Sequence, residues 1–412
     1  MNDFFVLDAM GRSVVSSVEI IEIGEKKGRL CVVVVTYNRL KSLIRLLEAL
    51  HRADYGSDVV DLTISIDGGD ASQSVRDYVP EISWPFGRLT IRRFQENLGL
   101  RQHILNCGAI ALDYDAIILL EDDIVVGPNF YAFSKQAVDQ YGSDDRLAGI
   151  SLYAPSHNEM ADLPFQPMLS GSSVYCLQSA QSWGQCWTRR MWTEFETWYE
   201  SYGDMLRHAP DMPERIYSWP ESSWKKFAMK YLAETGKTWL YPYRSHTTNC
   251  SEVGTHNRQS TATYQVSLSY GNECFSFAPF DELVHYDLYF EREGKELSPD
   301  ILLSNSEGRL IVDLYATRQV VTGPAHFLTT RILPRTPLRS FGFSFKPQEM
   351  NIRMGTAGDI ARLYRIEADE TVVLSRYDAI RPSDYFSSTS WRDQLRAGFD
   401  GLRSAVFRRL KR

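Results

Sequence analysis

The sequence predicts an α/β fold, an open sheet with helices on both faces, followed by a β-rich region and a terminal amphipathic helix. Three observations carry this expectation. Leu30–Val35 and Ala116–Leu120 are continuous aliphatic runs, the pattern of strands buried on both faces of a parallel sheet. Strand-like and helix-like segments alternate as far as Leu152 with short connections, which implies right-handed crossovers. After about residue 276 that rhythm stops, and short β-type runs are separated by Gly, Pro, Asn and Ser.

Taken in order, residues 1–27 read as an N-terminal extension. Met1-Asn2-Asp3-Phe4-Phe5 lacks a basic stretch followed by an apolar one, so no secretory signal is visible. Leu30–Val35 is the first strand. Leu40, Leu43, Ile44, Leu47 and Leu50 then recur at helical spacing, with Thr36 and Asn38 placed to cap that helix. Asp61–Ile66 is a second strand, stopped by Asp67-Gly68-Gly69, and Leu89–Phe94 is a third. A helix around Gln102–Leu112 leads to the strand Ala116–Leu120, and Ala148–Leu152 is another strand. These elements form one domain over residues 28–275. Seven of the nine tryptophans fall between Trp183 and Trp239, which concentrates aromatic surface there.

Residues 276–385 form a β-rich accessory domain, with runs at Leu283–Phe290, Arg309–Tyr315, Ala361–Ile366 and Thr371–Leu374. Residues 386–412 form a basic helix. Trp391, Leu395, Phe399, Leu402, Val406 and Leu410 line one side, and residues 391–412 carry seven basic and two acidic side chains. Such a helix suits an anionic membrane surface, or docking on its own domain or on a partner protomer.

Composition excludes several classes. Lys and Arg number 45 and Asp and Glu 52, a net charge of −7, which argues against general nucleic-acid binding. No apolar run approaches the ~20 residues that span a bilayer. The six cysteines, at 31, 107, 176, 186, 250 and 274, form no CxxC pair. The chain reads as cytoplasmic, with its thiols as small core residues.

The strongest chemical signal is Glu121-Asp122-Asp123, three carboxylates where a buried strand runs out. In open α/β sheets that edge, near the switch in strand order, is where ligands bind. Adjacent carboxylates repel, and a hard divalent ion, Mg²⁺ or Mn²⁺, would neutralise them and bridge a substrate's phosphates. The bland reading is a solvated turn before Gly127-Pro128. Context favours the ion. Asp67 at the second strand's end offers an acceptor for a base or ribose, and Arg39 beyond the first strand offers a fork suited to phosphate.

Val-Val-Thr36-Tyr37-Asn38-Arg39, Ile-Asp67-Gly68-Gly69, Glu96-Asn97-Leu98-Gly99-Leu100-Arg101 and Leu-Glu121-Asp122-Asp123-Ile resemble the successive signatures of glycosyltransferases with the GT-A fold. The stretch is similar to the N-acetylglucosaminyltransferase I family and to family 2-like bacterial enzymes. The likeness continues through Gly149–Tyr153, Trp183–Thr188 and Trp219–Trp224 and covers roughly residues 28–260. It implies an open mixed sheet of Rossmann type and a metal-dependent, inverting transfer of sugar from a nucleotide-sugar, with UDP favoured. It implies a donor site of Thr36, Asn38, Arg39, Asp67, Arg101 and Asp122. Mn²⁺ or Mg²⁺ would sit on Asp123, with a contact from His256 in the segment Gly254-Thr255-His256.

Ser245-His246-Thr247-Thr248-Asn249 resembles the flexible loop that closes over the diphosphate. Glu221 would be the general base, with Asp204 and Asp211 as fallbacks. Of Trp183, Trp187, Trp224 and Trp219, one or two would line an acceptor cleft and the remainder would serve in packing. The expected acceptor is an oligosaccharide or a lipid-linked glycan in bacterial surface polysaccharide (O-antigen or capsule) synthesis, peripheral on the inner face of the membrane. A sugar nucleotidyltransferase and a catalytically silent glycan-binding protein are the alternatives. The first would need a Gly-rich, Lys- or Arg-bearing loop after the first strand, which Thr36-Tyr37-Asn38-Arg39-Leu40 is not.

Overall fold

The computed structural model describes every residue except 1, 8–12, 25–27, 204, 211, 251–261, 302–308, 376–378, 380–382, 387–394, 396–398 and 400–412; for residues 2–7, 13–17, 299–301 and 383–384 it describes the backbone alone. The chain divides into two compact units, Met1–Ser156 with Leu169–Phe290, and His157–Met168 with Glu291–Arg412.

The first unit begins with β1 (Asn2–Leu7), β2 (Ser13–Ile23), β3 (Leu30–Thr36), α1 (Leu40–His51), β4 (Val60–Ile66), α2 (Gln73–Tyr78) and β5 (Leu89–Phe94). It continues with α3 (Gly99–Gly108), β6 (Ala116–Glu121), β7 (Ile124–Val126), α4 (Phe130–Tyr141) and β8 (Leu147–Ser151). The two-residue strands β9 (His157–Asn158) and β10 (Leu163–Pro164) pair with each other in the second unit. The first unit then resumes with β11 (Val174–Leu177), β12 (Gln185–Thr188), α5 (Arg189–Tyr202), α6 (Glu214–Tyr217), α7 (Trp224–Thr235), β13 (Thr238–Pro242), β14 (Thr247–Asn249) and β15 (His285–Tyr286).

Eleven of these strands make one mixed sheet, in the order β1-β2-β5-β4-β3-β6-β12-β8-β13-β11-β15. Its centre is parallel: β3 pairs with β4 and β6, and β4 with β5. Every residue of β3 and β4 is buried, as their uninterrupted apolar or alternating patterns predict. β1 and β2, from the stretch read in the sequence as an extension, supply the edge of this sheet. The run Val18–Ile23 of β2 pairs antiparallel with β5, because alternating Val, Ile and polar residues match the free side of that strand. β15 also joins the sheet, parallel to β11, so the segment past residue 275 begins in the first unit.

Thr36 and Asn38 do not cap α1. Arg39 occupies the N-cap position, and no side chain caps the helix there. α3 and α5 meet at Gly108, where a Cβ would lie 1.9 Å from the Trp192 ring, so only glycine permits that approach. Four cysteines are buried, whereas Cys250 is half-buried and Cys274 exposed, so not all thiols are core residues.

The second unit carries α8 (Gly294–Ile301), β16 (Arg309–Asp313), β17 (Val320–Thr322), β18 (Ala325–Thr329), β19 (Arg339–Phe341), α9 (Gln348–Arg353), β20 (Ala361–Ile366), β21 (Thr371–Val373) and α10 (Ser383–Phe386). Its four-stranded sheet runs β16-β18-β20-β19, and β17 pairs with β21. One apolar cluster includes Leu310, Val312, Leu328, Ile352 and Leu363; another includes Val321, Phe327, Tyr364 and Ile366. The basic helix expected over residues 386–412 lies outside the described residues, save Phe386, Leu395 and Phe399. Among the described residues, no helix is long and apolar enough to cross a membrane.

Candidate active site at the switch in strand order

The chain steps from β3 outward to β4 and β5, then returns to place β6 on the other side of β3. In open α/β sheets such a reversal marks the ligand-binding edge, here beyond the carboxyl ends of β3 and β6. Thr36 ends β3, Asp67 follows β4, and Glu121-Asp122-Asp123 ends β6, so the topology delivers all three predicted strand tips to one edge.

Arg39 is the hub. Its Nη1 donates to Asp123 Oδ2 at 3.0 Å, and its Nη2 lies 2.5 Å from Asp122 Oδ1 as an ion pair. The Thr36 hydroxyl donates to Asp122 Oδ2 at 2.8 Å, and the Asp122 amide donates to the Val35 carbonyl at 3.1 Å. Asp122 is therefore fixed from both sides, and it is 2% exposed. Burial works against the Arg39 cation, but the charges of Asp122, Asp123 and Glu121 outweigh it and raise its pKa. Burial, then the Asp123 charge, pushes Glu121 up to about 8 against the opposing pull of Arg39. Burial likewise pushes Asp122 up to about 6, with Arg39 and the Thr36 hydroxyl opposing.

One arginine does not satisfy this cluster. Asp122 Oδ1 has its ion pair with Arg39, but Asp123 Oδ1 is buried without a hydrogen bond. Hard carboxylate oxygens on adjacent residues, at the end of a buried strand, suit a divalent cation of the Mg²⁺ or Mn²⁺ type.

Asp67 is built into the backbone. Its Oδ1 accepts from the Gly68 amide at 2.8 Å and the Leu98 amide at 2.7 Å, and its Oδ2 accepts from Gly99 at 3.2 Å. Burial raises its pKa, and those three amides oppose the rise. Asp67 thus ties the end of β4 to the first turn of α3. Gly68 is required there, because a Cβ would sit 2.1 Å from the Glu96 carbonyl oxygen.

The segment Ser245–Asn249, expected as a flexible loop, is held in place. Within it β14 pairs antiparallel with β7, directly after the acidic triplet, and Thr247 is fully buried. The Cys250 amide then donates to the Asp123 carbonyl at 2.9 Å. The neighbouring β-branched pair Thr247-Thr248 was the signal for a strand, and the polar composition hid it. His256, Asp204 and Asp211 lie outside the described residues.

Most of the other predicted residues have partners of their own. Asn38 is exposed beside the cluster. The Arg101 guanidinium lies over the Phe227 ring at 4.9 Å, which ties the start of α3 to α7. Glu221 is exposed, and its Oε1 lies 2.6 Å from the buried Lys226 Nζ. Trp183 is half-buried, its ring 4.7 Å from Tyr264 and 5.0 Å from Tyr153. Trp187 and Trp224, two of the candidates for an acceptor cleft, belong to the packing instead. They are 1% and 2% exposed, and the Trp187 ring packs on Trp192, Phe195, Trp224 and Trp239. The cause is β12, which carries Trp187 between β6 and β8 in mid-sheet.

His103 on α3 packs under the same edge, its Nε2 2.9 Å from the Ser65 hydroxyl and its ring against Phe94. Burial, and then the Arg92 charge, pushes its pKa down to about 3. Below the ordinary value near 6.5 the unfolded chain binds a proton that the folded chain refuses, so this histidine costs stability as pH falls towards 3. The expected slope is about 1.4 kcal/mol per pH unit. Urea titrations of His103→Gln should show that slope removed between pH 6 and 4; equal slopes in both proteins refute the assignment.

No family model matches the chain, and no curated protein matches it. Solved structures give partial likenesses. A mannosyltransferase from Pyrobaculum calidifontis, in complex with GDP-Man and Mn²⁺, aligns at 15% identity over 42% of this chain and 47% of its own, with a TM-score of 0.29. S. aureus TarS 1-349 in complex with UDP-GlcNAc aligns at 13% identity over 57% of this chain and 61% of its own, with a TM-score of 0.35. In both, the match spans less than two thirds of the neighbour's length. At these scores the likenesses carry no functional weight, and what the site can do is set by its own residues.

Proposed function

We propose that the protein is a metal-dependent glycosyltransferase of GT-A type, which moves a sugar from a nucleotide-sugar donor to a hydroxyl of a glycan acceptor with inversion. The observation that carries this reading is the buried Asp123 Oδ1, which has no hydrogen bond, beside the Arg39-paired Asp122 carboxylate at the switch in strand order. The sequence resemblance to the N-acetylglucosaminyltransferase I family and its bacterial counterparts points the same way. Surface polysaccharide synthesis, a lipid-linked acceptor and attachment to the inner membrane face extend the proposal; a UDP-sugar is the favoured donor.

Asp123, assisted by Asp122, would hold Mn²⁺ or Mg²⁺. When bound, the ion supplies Lewis-acid charge against the diphosphate that leaves. The remaining work falls to side chains. Thr36 fixes Asp122 in one orientation. Arg39, whose fork here spans Asp122 and Asp123, would turn to phosphate oxygens once an ion takes over those carboxylates, and would stabilise the charge that develops there. Glu221 takes the proton of the attacking hydroxyl, a role worth typically ~10²–10⁴-fold.

Calorimetry with UDP, with and without Mn²⁺, tests the reading. UDP binding that depends on Mn²⁺ is expected, together with release of UDP from a UDP-sugar when acceptor is supplied. Equal affinity with and without the metal would discard the proposal. Glu221→Gln should keep UDP affinity and lower turnover at least 10²-fold; unchanged turnover would remove Glu221 as base.

A further inference from the structure

The sheet face that carries Asp67 and Glu121 continues away from the acidic cluster into a second polar site. Pairing register sets Thr63 beside Thr90, Ser65 beside Arg92, and then Ile20 and Glu22 of β2 beside Arg92 and Thr90. α3 lies along this face. Its first turn grips Asp67, while Asn106 near its end, with Ala109 and Ile110 beyond, lines a cavity of about 350 Å³. Thr63, Thr90, Arg88, Arg92 and Tyr114 line the same cavity. Its volume falls at the lower end of small-molecule sites, roughly 300–1,000 Å³.

We propose that this cavity binds a small organic anion, its carboxylate or phosphate set against Arg92 and its carbon skeleton against Ile20, Ala109 and Ile110. Charge placement supports this. Arg92 is 6% exposed, and its Nη1 donates to the Asn106 carbonyl at 3.1 Å. Burial pushes its pKa below the usual arginine range, with Cys107 and then Asp113 opposing. Arg88 adds a buried Nε without a hydrogen bond, while its terminal nitrogens meet Glu22, Asp61 and Tyr114. The lining acids, Glu22 and Asp113, are both exposed. Arg92 is deep, the lining acids are exposed, and the buried Asp61 is engaged by Arg88 and Tyr114, so the interior beside Arg92 favours an anion. Ile20, Ala109 and Ile110 favour one with an apolar part.

The test titrates the full chain with phenyl phosphate and with benzoate in EDTA, followed by calorimetry. Saturable binding of at least one probe is expected, and the preferred probe tells phosphate from carboxylate. Arg92→Met should weaken that binding tenfold or more, and Ala109→Trp, which fills the cavity from the helix side, should abolish it. Asp123→Asn should leave it unchanged. Ala109→Trp decides the matter if Arg92→Met does not fold. Failure of both probes to saturate, undiminished binding in the folded cavity variants, or loss of binding in Asp123→Asn each overturns the proposal.

Discussion

Asp123→Asn is expected to remove Mn²⁺-dependent UDP binding and to lower turnover roughly 10³-fold or more, about 4 kcal/mol of transition-state stabilisation. Asparagine preserves the shape of the side chain and can still accept from Arg39 Nη1, which now lies 3.0 Å from Asp123 Oδ2. What it removes is charge, and with it an anionic oxygen that has no other partner. The fold should not suffer. Glu121, Asp122 and Asp123 crowd three carboxylates into one buried turn, and the raised pKa values of the first two record the resulting penalty. Removing one charge relieves like-charge repulsion while the Arg39–Asp122 pair remains, so the variant should melt at or above the temperature of the unaltered protein. Lost function with retained or raised stability is the signature of a site residue. Turnover within tenfold of the unaltered protein would end the metal assignment, and a strong fall in melting temperature would make Asp123 a structural residue.

How much of this was legible in the sequence depends on whether a local pattern or a distant partner decides the matter. β3, β4 and β6 were plain, because a strand buried on both faces must be apolar or regularly alternating whatever lies beside it. The acidic triplet was plain for a related reason, since three carboxylates after such a strand need a compensating cation. Arg39 was picked as a phosphate ligand, and its pairing with Asp122 and Asp123 needed the fold, because 83 residues separate it from the first of them. The role of β2 was hidden because edge pairing with β5 spans dozens of residues of chain. Trp187 and Trp224 show the limit of composition. Clustered tryptophans suit a sugar cleft and a core equally well, and only the insertion of β12 between β6 and β8 decides for the core.

Arg331→Met is expected to cost about 3–5 kcal/mol, the loss typical when one partner of a buried ion pair is removed. Arg331 and Asp313 are 2% and 0% exposed, and Arg331 Nε donates to Asp313 Oδ2 at 3.0 Å. Arg331 Nη2 also donates to the carbonyls of Ala316 and Arg318, at 2.7 and 2.9 Å, and Nη1 reaches the Ser375 carbonyl. Asp313 meanwhile accepts from the amides of Thr317 and Arg318 and from the Thr329 hydroxyl. One ion pair therefore holds the ends of β16 and β18 and the turn after β16. Methionine keeps most of the volume but leaves a buried carboxylate and three carbonyls short of donors. Hydrogen exchange should show the loss in β16, β18 and β20 while β3, β4 and β6 keep their protection, because the two compact units have separate cores. Replacing both partners, as in Asp313→Leu with Arg331→Met, does not restore stability here. Removal of Asp313 strands the Thr317 and Arg318 amides, so the usual recovery on swapping a buried pair for apolar side chains is blocked. A double variant as stable as the unaltered protein, or an Arg331→Met loss below 1 kcal/mol, would show that the pair contributes little to the second unit.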